Sequence, residues 1–168
     1  MRREQVATKI IDAFSQERFP KEAELFIPSG GHIFDIEKAV AGLNYEKWSQ
    51  IPLQSLIRNR DRISYLTEVG FHFLLPAFLI AAINHPRQVD VLVDSVICAL
   101  VPPDRPDWHE RFTRRAKTLS DTQGQAILCF FESYTEIYPI EEWSFSPEDE
   151  DQVKKAIEFW RSWRPQSE

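Results

Sequence analysis

Residues 71–83, FHFLLPAFLIAAI, form the most hydrophobic run of the chain. Read at helical spacing, the run is apolar on nearly every face. A helix of that kind gains nothing by turning any side to water, so it belongs at the centre of a domain with other helices around it. Thr67 stands just before it and suits the N-cap, where a hydroxyl accepts an orphan backbone N–H of the first turn. Pro76 lies inside the run and cannot donate to the carbonyl of His72. Either the helix kinks there, or a second helix opens at Pro76. Asn84, His85 and Pro86 end the element. The run falls short of the about 20 residues that span a bilayer.

Working outward toward the N-terminus, residues 2–18 read as an amphipathic helix. Val6, Ile10, Ala13 and Phe14 recur at helical spacing, and Arg2, Arg3, Glu4, Lys9, Asp12 and Glu17 take the other sides. Pro20 stops it. Residues 19–36 hold Pro20, Pro28, Gly30 and Gly31 and read as a loop, with room for one short β-hairpin around GHIF at 31–34. Asp35 is positioned to cap a helix over residues 36–48, with Ile36, Val40 and Leu43 inward. Pro52 suits the first turn of another over LQSLIRNRDRI, residues 53–63.

Toward the C-terminus, residues 89–100 are rich in β-branched side chains, which favours a strand. Their spacing favours a helix, since Val89, Leu92, Val93, Val96, Ile97 and Leu100 line one face, and a helix is the reading adopted. VPPDRPD at 101–107 is a rigid loop. Residues 108–119 form a basic amphipathic helix carrying Arg111, Arg114, Arg115 and Lys117. Ser120 with Gln123 makes a capping box. Ala126, Ile127, Phe130, Phe131 and Tyr134 form the buried face behind it, and Pro139 closes that helix. Ser146-Pro147 opens the last helix, acidic at its start (Glu148 to Asp151) and basic at its end (Arg161, Arg164), an order that complements the helix dipole. With neither repeat nor linker, residues 1–168 read as a single mainly α domain of about seven or eight helices.

Composition bounds the function. The 168 residues carry 43% hydrophobic side chains, 27% charged and a formal charge of −6. A chain of that composition folds around a core of its own, which excludes a disordered protein. The negative balance opposes broad phosphate-backbone binding and suits a basic partner. Cys98 and Cys129 lie in apolar runs outside any CxxC pair and read as two reduced, buried thiols. The N-terminal residues interleave charges with apolar side chains, unlike a secretory signal, and the expected location is the cytoplasm.

One set of residues carries a family resemblance. Trp48 and Ile51-Pro52 precede an Ile/Leu-rich stretch; then come Tyr65-Leu66-Thr67, Phe71, and Leu75-Pro76-Ala77-Phe78-Leu79; Leu119-Ser120, Gln123, Ala126 and Ile127 follow. That order, over about residues 30–138, resembles the bacterial family catalogued as domain of unknown function 6714. The residues are packing and capping positions. The resemblance implies a helical fold and no assigned activity, and it carries over no catalytic residue.

Five constellations bear on chemistry. Glu68 and His72 are four apart and share a helix face, where a carboxylate orients an imidazole as a general base; the same spacing is common in helix-surface pairs. His32, His72, His85 and His109 have no HxxxH or HExxH spacing, and neither a metal nor a cofactor is expected. PSGG at 28–31 lacks the Lys of a phosphate loop and reads as a turn. Arg111, Arg114 and Arg115 on neighbouring faces of one helix suit either a nucleic-acid contact or a solvated face paired with acids. Trp143, Trp160 and Trp163 suit either an aromatic docking patch or core packing.

These features predict a non-enzymatic protein-interaction domain with a protein partner of basic character, for example an antitoxin or immunity-type protein. One alternative is a small hydrolase using Glu68 and His72. The other is a nucleic-acid-associated protein using the basic helix at 111–117.

Overall fold

Thr67 caps the central helix as its position predicts: its side chain accepts the Gly70 N–H at 3.0 Å. The structure, a computed structural model, describes residues 3–20, 25, 46–138 and 147–164. Among the described residues there are eight α-helices and no β-strand. They are α1 (Arg3–Ala13), α2 (Leu53–Arg58), α3 (Glu68–Asn84), α4 (Asp90–Leu100), α5 (Pro106–Lys117), α6 (Asp121–Glu132), α7 (Tyr134–Ile137) and α8 (Pro147–Ser162). Single turns of 3-10 helix lie at Trp48–Gln50 and Pro86–Gln88, and a longer 3-10 segment at Arg60–Tyr65. The fold is mainly α, and residues 90–100 are helical rather than extended, with Val89 at the N-cap.

The central helix α3 runs unbroken through Pro76. Eleven of its 17 residues are buried, from Gly70 to Ile83. It packs against α1, α2, α4 and α5 and against the two short 3-10 turns. A second centre of packing forms around α6, which contacts α1, α7 and α8. Gly124 on α6 leaves room for Trp163 just beyond α8, since a Cβ there would lie 2.5 Å from the Trp163 ring. Gly70 has a similar role on α3: the Leu25 carbonyl, which accepts from Thr67 N at 3.0 Å, occupies the space a Cβ would need.

Helices leave C-terminal carbonyls without an intrahelical partner. Here side chains distant in sequence fill that need. Trp48 Nε1 donates to Phe14 O at 2.9 Å just beyond α1, Tyr138 Oη to Ala82 O at 2.7 Å in the last turn of α3, and Trp160 Nε1 to Leu100 O at 2.8 Å at the end of α4. Each donor is buried, so each bond replaces solvation that the carbonyl has lost. Burial also raises the Tyr138 and Tyr134 phenols above the ordinary tyrosine range.

Five readings change. The helix expected over 2–18 ends at Ala13. The helix expected over 53–63 divides at Asn59, which leaves helical geometry (φ −108°, ψ 16°) while its Nδ2 donates to Ser55 O at 2.8 Å. An asparagine side chain competes in this way with the helical ladder. Ser133 similarly separates α7 from α6. Cys98 is exposed on α4, and only Cys129 is buried. Trp48 lies in a 3-10 turn. The expected helix over 36–45, the loop at 28–31, the hairpin at 31–34, His32 and Trp143 lie outside the described residues.

Candidate functional site

Two helical stripes face each other across a cleft. On α4 the stripe is Val91, Asp94, Ser95 and Cys98; on α5 it is Trp108, Arg111, Phe112 and Arg115. Both follow the i, i+3, i+4, i+7 spacing that places side chains on one helix face. Asp61, Ile63 and Ser64 of the 3-10 segment close one end, and Ala99 and Pro103 complete the wall. The cavity holds about 260 Å³.

The arginines of α5 have three different environments. Arg115 is only 6% exposed. Its Nη2 donates to Ser64 O at 3.0 Å and Leu66 O at 2.6 Å, and its guanidinium lies 5.0 Å from the centre of the Phe71 ring. Burial, followed by repulsion from Arg111, pulls its pKa down to about 10, so it stays charged at neutral pH. Arg114 is half-exposed and binds two carboxylates, Glu68 through Nε at 3.0 Å and Glu110 through Nη1 at 2.9 Å. Arg111 is half-buried, and among the described residues its side chain makes one hydrogen bond, a long contact of 3.5 Å from Nη2 to Leu66 O. Burial lowers its pKa as well, and Arg114 adds to the effect.

The Nε atoms of Arg111 and Arg115 are buried without an acceptor, and so are Arg60 Nε and Arg62 Nη1 in the 3-10 segment. Among the described residues, every buried side-chain nitrogen or oxygen in that condition belongs to one of these arginines. Buried polar groups are nearly always paired, and of these four arginines Arg111 and Arg115 line the cleft.

Glu68 and His72 take different partners. A hydrogen bond to its own backbone N–H lowers the Glu68 carboxyl pKa, and Arg114 adds to that lowering against the opposing effect of burial. His72 Nε2 lies 2.9 Å from Gln123 Oε1 and 3.4 Å from Glu17 Oε1. Gln123 Oε1 also accepts from Ser120 N at 2.8 Å, and its Nε2 donates to Glu17 Oε1 at 2.9 Å. An oxygen that accepts both contacts requires the hydrogen on His72 Nε2. This network ties α3 and α6 to the segment after α1. The capping box pointed to Gln123, but no spacing in the sequence pointed to Glu17.

Trp160 and Trp163 are 1% and 8% exposed and pack against each other at 5.7 Å between ring centres. They fill the core, as their spacing also allowed. Among the described residues the exposed tryptophan is Trp108, at 54%, with the Arg105 guanidinium 5.7 Å from its ring centre. Among the described residues, no group of three or more His, Cys, Asp or Glu side chains is placed to hold a metal ion, and no helix is long and apolar enough to cross a membrane.

Fold and cleft thus define a mainly α protein in which the exposed Trp108 overlooks a cleft lined by Arg111 and Arg115. The chain belongs to the family described as Family of unknown function (DUF6714), whose model matches residues 5–164. No curated protein and no solved structure matches it.

Proposed function

We propose that this chain is a non-enzymatic protein-interaction domain that docks a partner over the cleft between α4 and α5. The observation that carries the reading is Trp108, exposed at the cleft while Trp48, Trp160 and Trp163 are buried. Tryptophan is enriched among the residues that dominate binding energy. Val91 in the α4 wall is a further exposed large hydrophobic of the cleft, and the exposed Tyr65 directly follows Ser64 of the end wall along the chain. Exposed apolar side chains gathered on one face mark interaction surfaces.

The net charge of −6 favours the approach of a partner that is basic overall. An antitoxin or immunity-type protein that masks a basic toxin, acting in the cytoplasm, is the specific form proposed. The geometry favours this reading over the two alternatives. Arg115 turns inward to backbone carbonyls and Arg114 to carboxylates, which leaves little of the basic helix for phosphates. Glu68 and His72, the pair of the hydrolase reading, are engaged apart.

The test is recovery of a stoichiometric partner from an extract of the native host. Wild type should retain it, Trp108→Ala should lose it at unchanged Tm, and Ile11→Ala, which removes the exposed hydrophobic of α1, should keep it. Failure of wild type to recover any stoichiometric partner, or equal recovery by Trp108→Ala, overturns the proposal.

A further inference from the structure

We infer that the partner segment seated in this cleft presents an apolar side chain beside a carboxylate, the first packing on Trp108 and the second meeting Arg111. The inference rests on the docking reading above and adds the chemistry of the anchor.

Arg111 and Arg115 line the same cavity, and each has a buried Nε without an acceptor. Arg115 is more than nine-tenths buried and locked by the Ser64 and Leu66 carbonyls, so it contributes a fixed charge behind the wall. Arg111 is the group that a ligand meets. It is half-buried, holds one long hydrogen bond, and has further N–H donors in its planar fork. The carboxylate that acts on it most, Glu68, is already bound to Arg114. The buried Nε stays out of reach, and a carboxylate entering the cleft would pair with the outer N–H groups of the Arg111 fork.

The cleft also carries Asp61 and Asp94, which argue for a cationic anchor. Desolvation decides between the two. The Asp61 side chain is 74% exposed and lies 3.9 Å from Arg60, so water and a neighbouring cation already solvate it. A cation there would gain only what a surface ion pair gives. Arg115 has lost nearly all of its water in folding and Arg111 part of it, and an anion beside them is attracted in a medium of lower dielectric than at Asp61. A partner that is basic overall remains compatible, because long-range attraction and the local anchor contact are separate properties. The apolar half of the anchor has Ile63, Val91, Trp108 and Phe112 to pack on. About 260 Å³ is slightly below the usual range of ligand pockets and fits one side chain with its flanking group.

The test uses three probes that share one ring: N-acetylphenylalanine, its neutral amide N-acetylphenylalaninamide, and the cationic phenylalaninamide. Binding is read from the Trp108 indole N–H in a ¹H–¹⁵N spectrum of the whole chain, assigned with Trp108→Phe. The anion should shift that signal at millimolar concentration and bind at least about tenfold more tightly than either other probe, as expected for a charge-assisted contact. Arg111→Gln should bring the anion down to the affinity of the amide with Tm little changed. Equal binding of anion and amide overturns the carboxylate inference and leaves apolar docking in place. Tighter binding of the cation overturns it in favour of Asp61 and Asp94. If no probe shifts Trp108, the inference is also overturned, while recovery of a partner from host extract still decides the docking reading separately.

Discussion

The central helix α3 and the basic helix α5 lie against each other, yet their sequences reveal their surroundings with different directness. In α3 the side chains are apolar all round, and water excludes them without regard to what covers them. Position at the centre follows from composition alone. In α5 the polar side chains are partly buried, and polarity does not say so. Arg115 is nearly as buried as the core residues of α3 because the carbonyls of Ser64 and Leu66, about fifty positions earlier, receive its guanidinium. A buried arginine depends on specific geometry; a buried leucine depends mainly on contact with other apolar groups.

The largest effect expected is on α3. Leu75 is fully buried, and Leu75→Ala should cost about 3 kcal/mol, the sum of lost transfer energy and a cavity, read by chemical denaturation. A cost near that of a surface substitution would remove α3 from the centre.

On α5, Arg115→Ala should cost about 2–3 kcal/mol, because it strands the two carbonyls and removes the stem that packs on Phe71. Arg115→Met restores the stem without the charge and should cost clearly less. The sign of the pH dependence follows from the lowered pKa. A cation whose folded pKa, about 10, lies below its unfolded one disfavours folding at every pH below that value, and the penalty shrinks only above it. The stability difference between wild type and Arg115→Met should therefore be flat between about pH 5 and about pH 9. A slope in that interval would show that a different group is involved.

Thr67→Ala removes the cap of α3 and should cost about 1 kcal/mol by thermal or urea unfolding. The smallest effect concerns the link between the two helices. Glu68→Gln weakens the Arg114 ion pair, whose side chains are 54% and 39% exposed, and should cost no more than about 0.5 kcal/mol at neutral pH. The Glu68 carboxyl pKa is lowered on folding, so its contribution is present above the ordinary carboxylate range and fades as pH falls through the depressed value. Urea titrations of wild type and variant at descending pH should converge in acid.

Much of the architecture was legible because it rests on local pattern. Thr67, the Ser120–Gln123 capping box and the apolar stripe of α4 all sit where their spacing predicts. The α4 wall was legible too: if Val89, Leu92, Val96 and Leu100 turn inward, Val91, Asp94 and Cys98 turn outward. Cys98 was assigned to the core from the apolar run around it, when its helical phase argued otherwise. The rest depended on contacts across long sequence separations. Trp160 reaches Leu100 O, Tyr138 reaches Ala82 O and Gln123 reaches Glu17, and no periodicity encodes such pairs. The cleft itself exists only because two outward stripes on separate helices converge.

The most direct test of the docking face is covalent capture in the native host. The chain would carry the photo-crosslinking residue p-benzoylphenylalanine in place of Val91 in one experiment and in place of Ile11 in another, both positions being exposed. A discrete adduct of defined mass should form from position 91 and not from position 11. No adduct at 91, or the same adduct from both positions, would contradict a partner seated over the α4–α5 cleft.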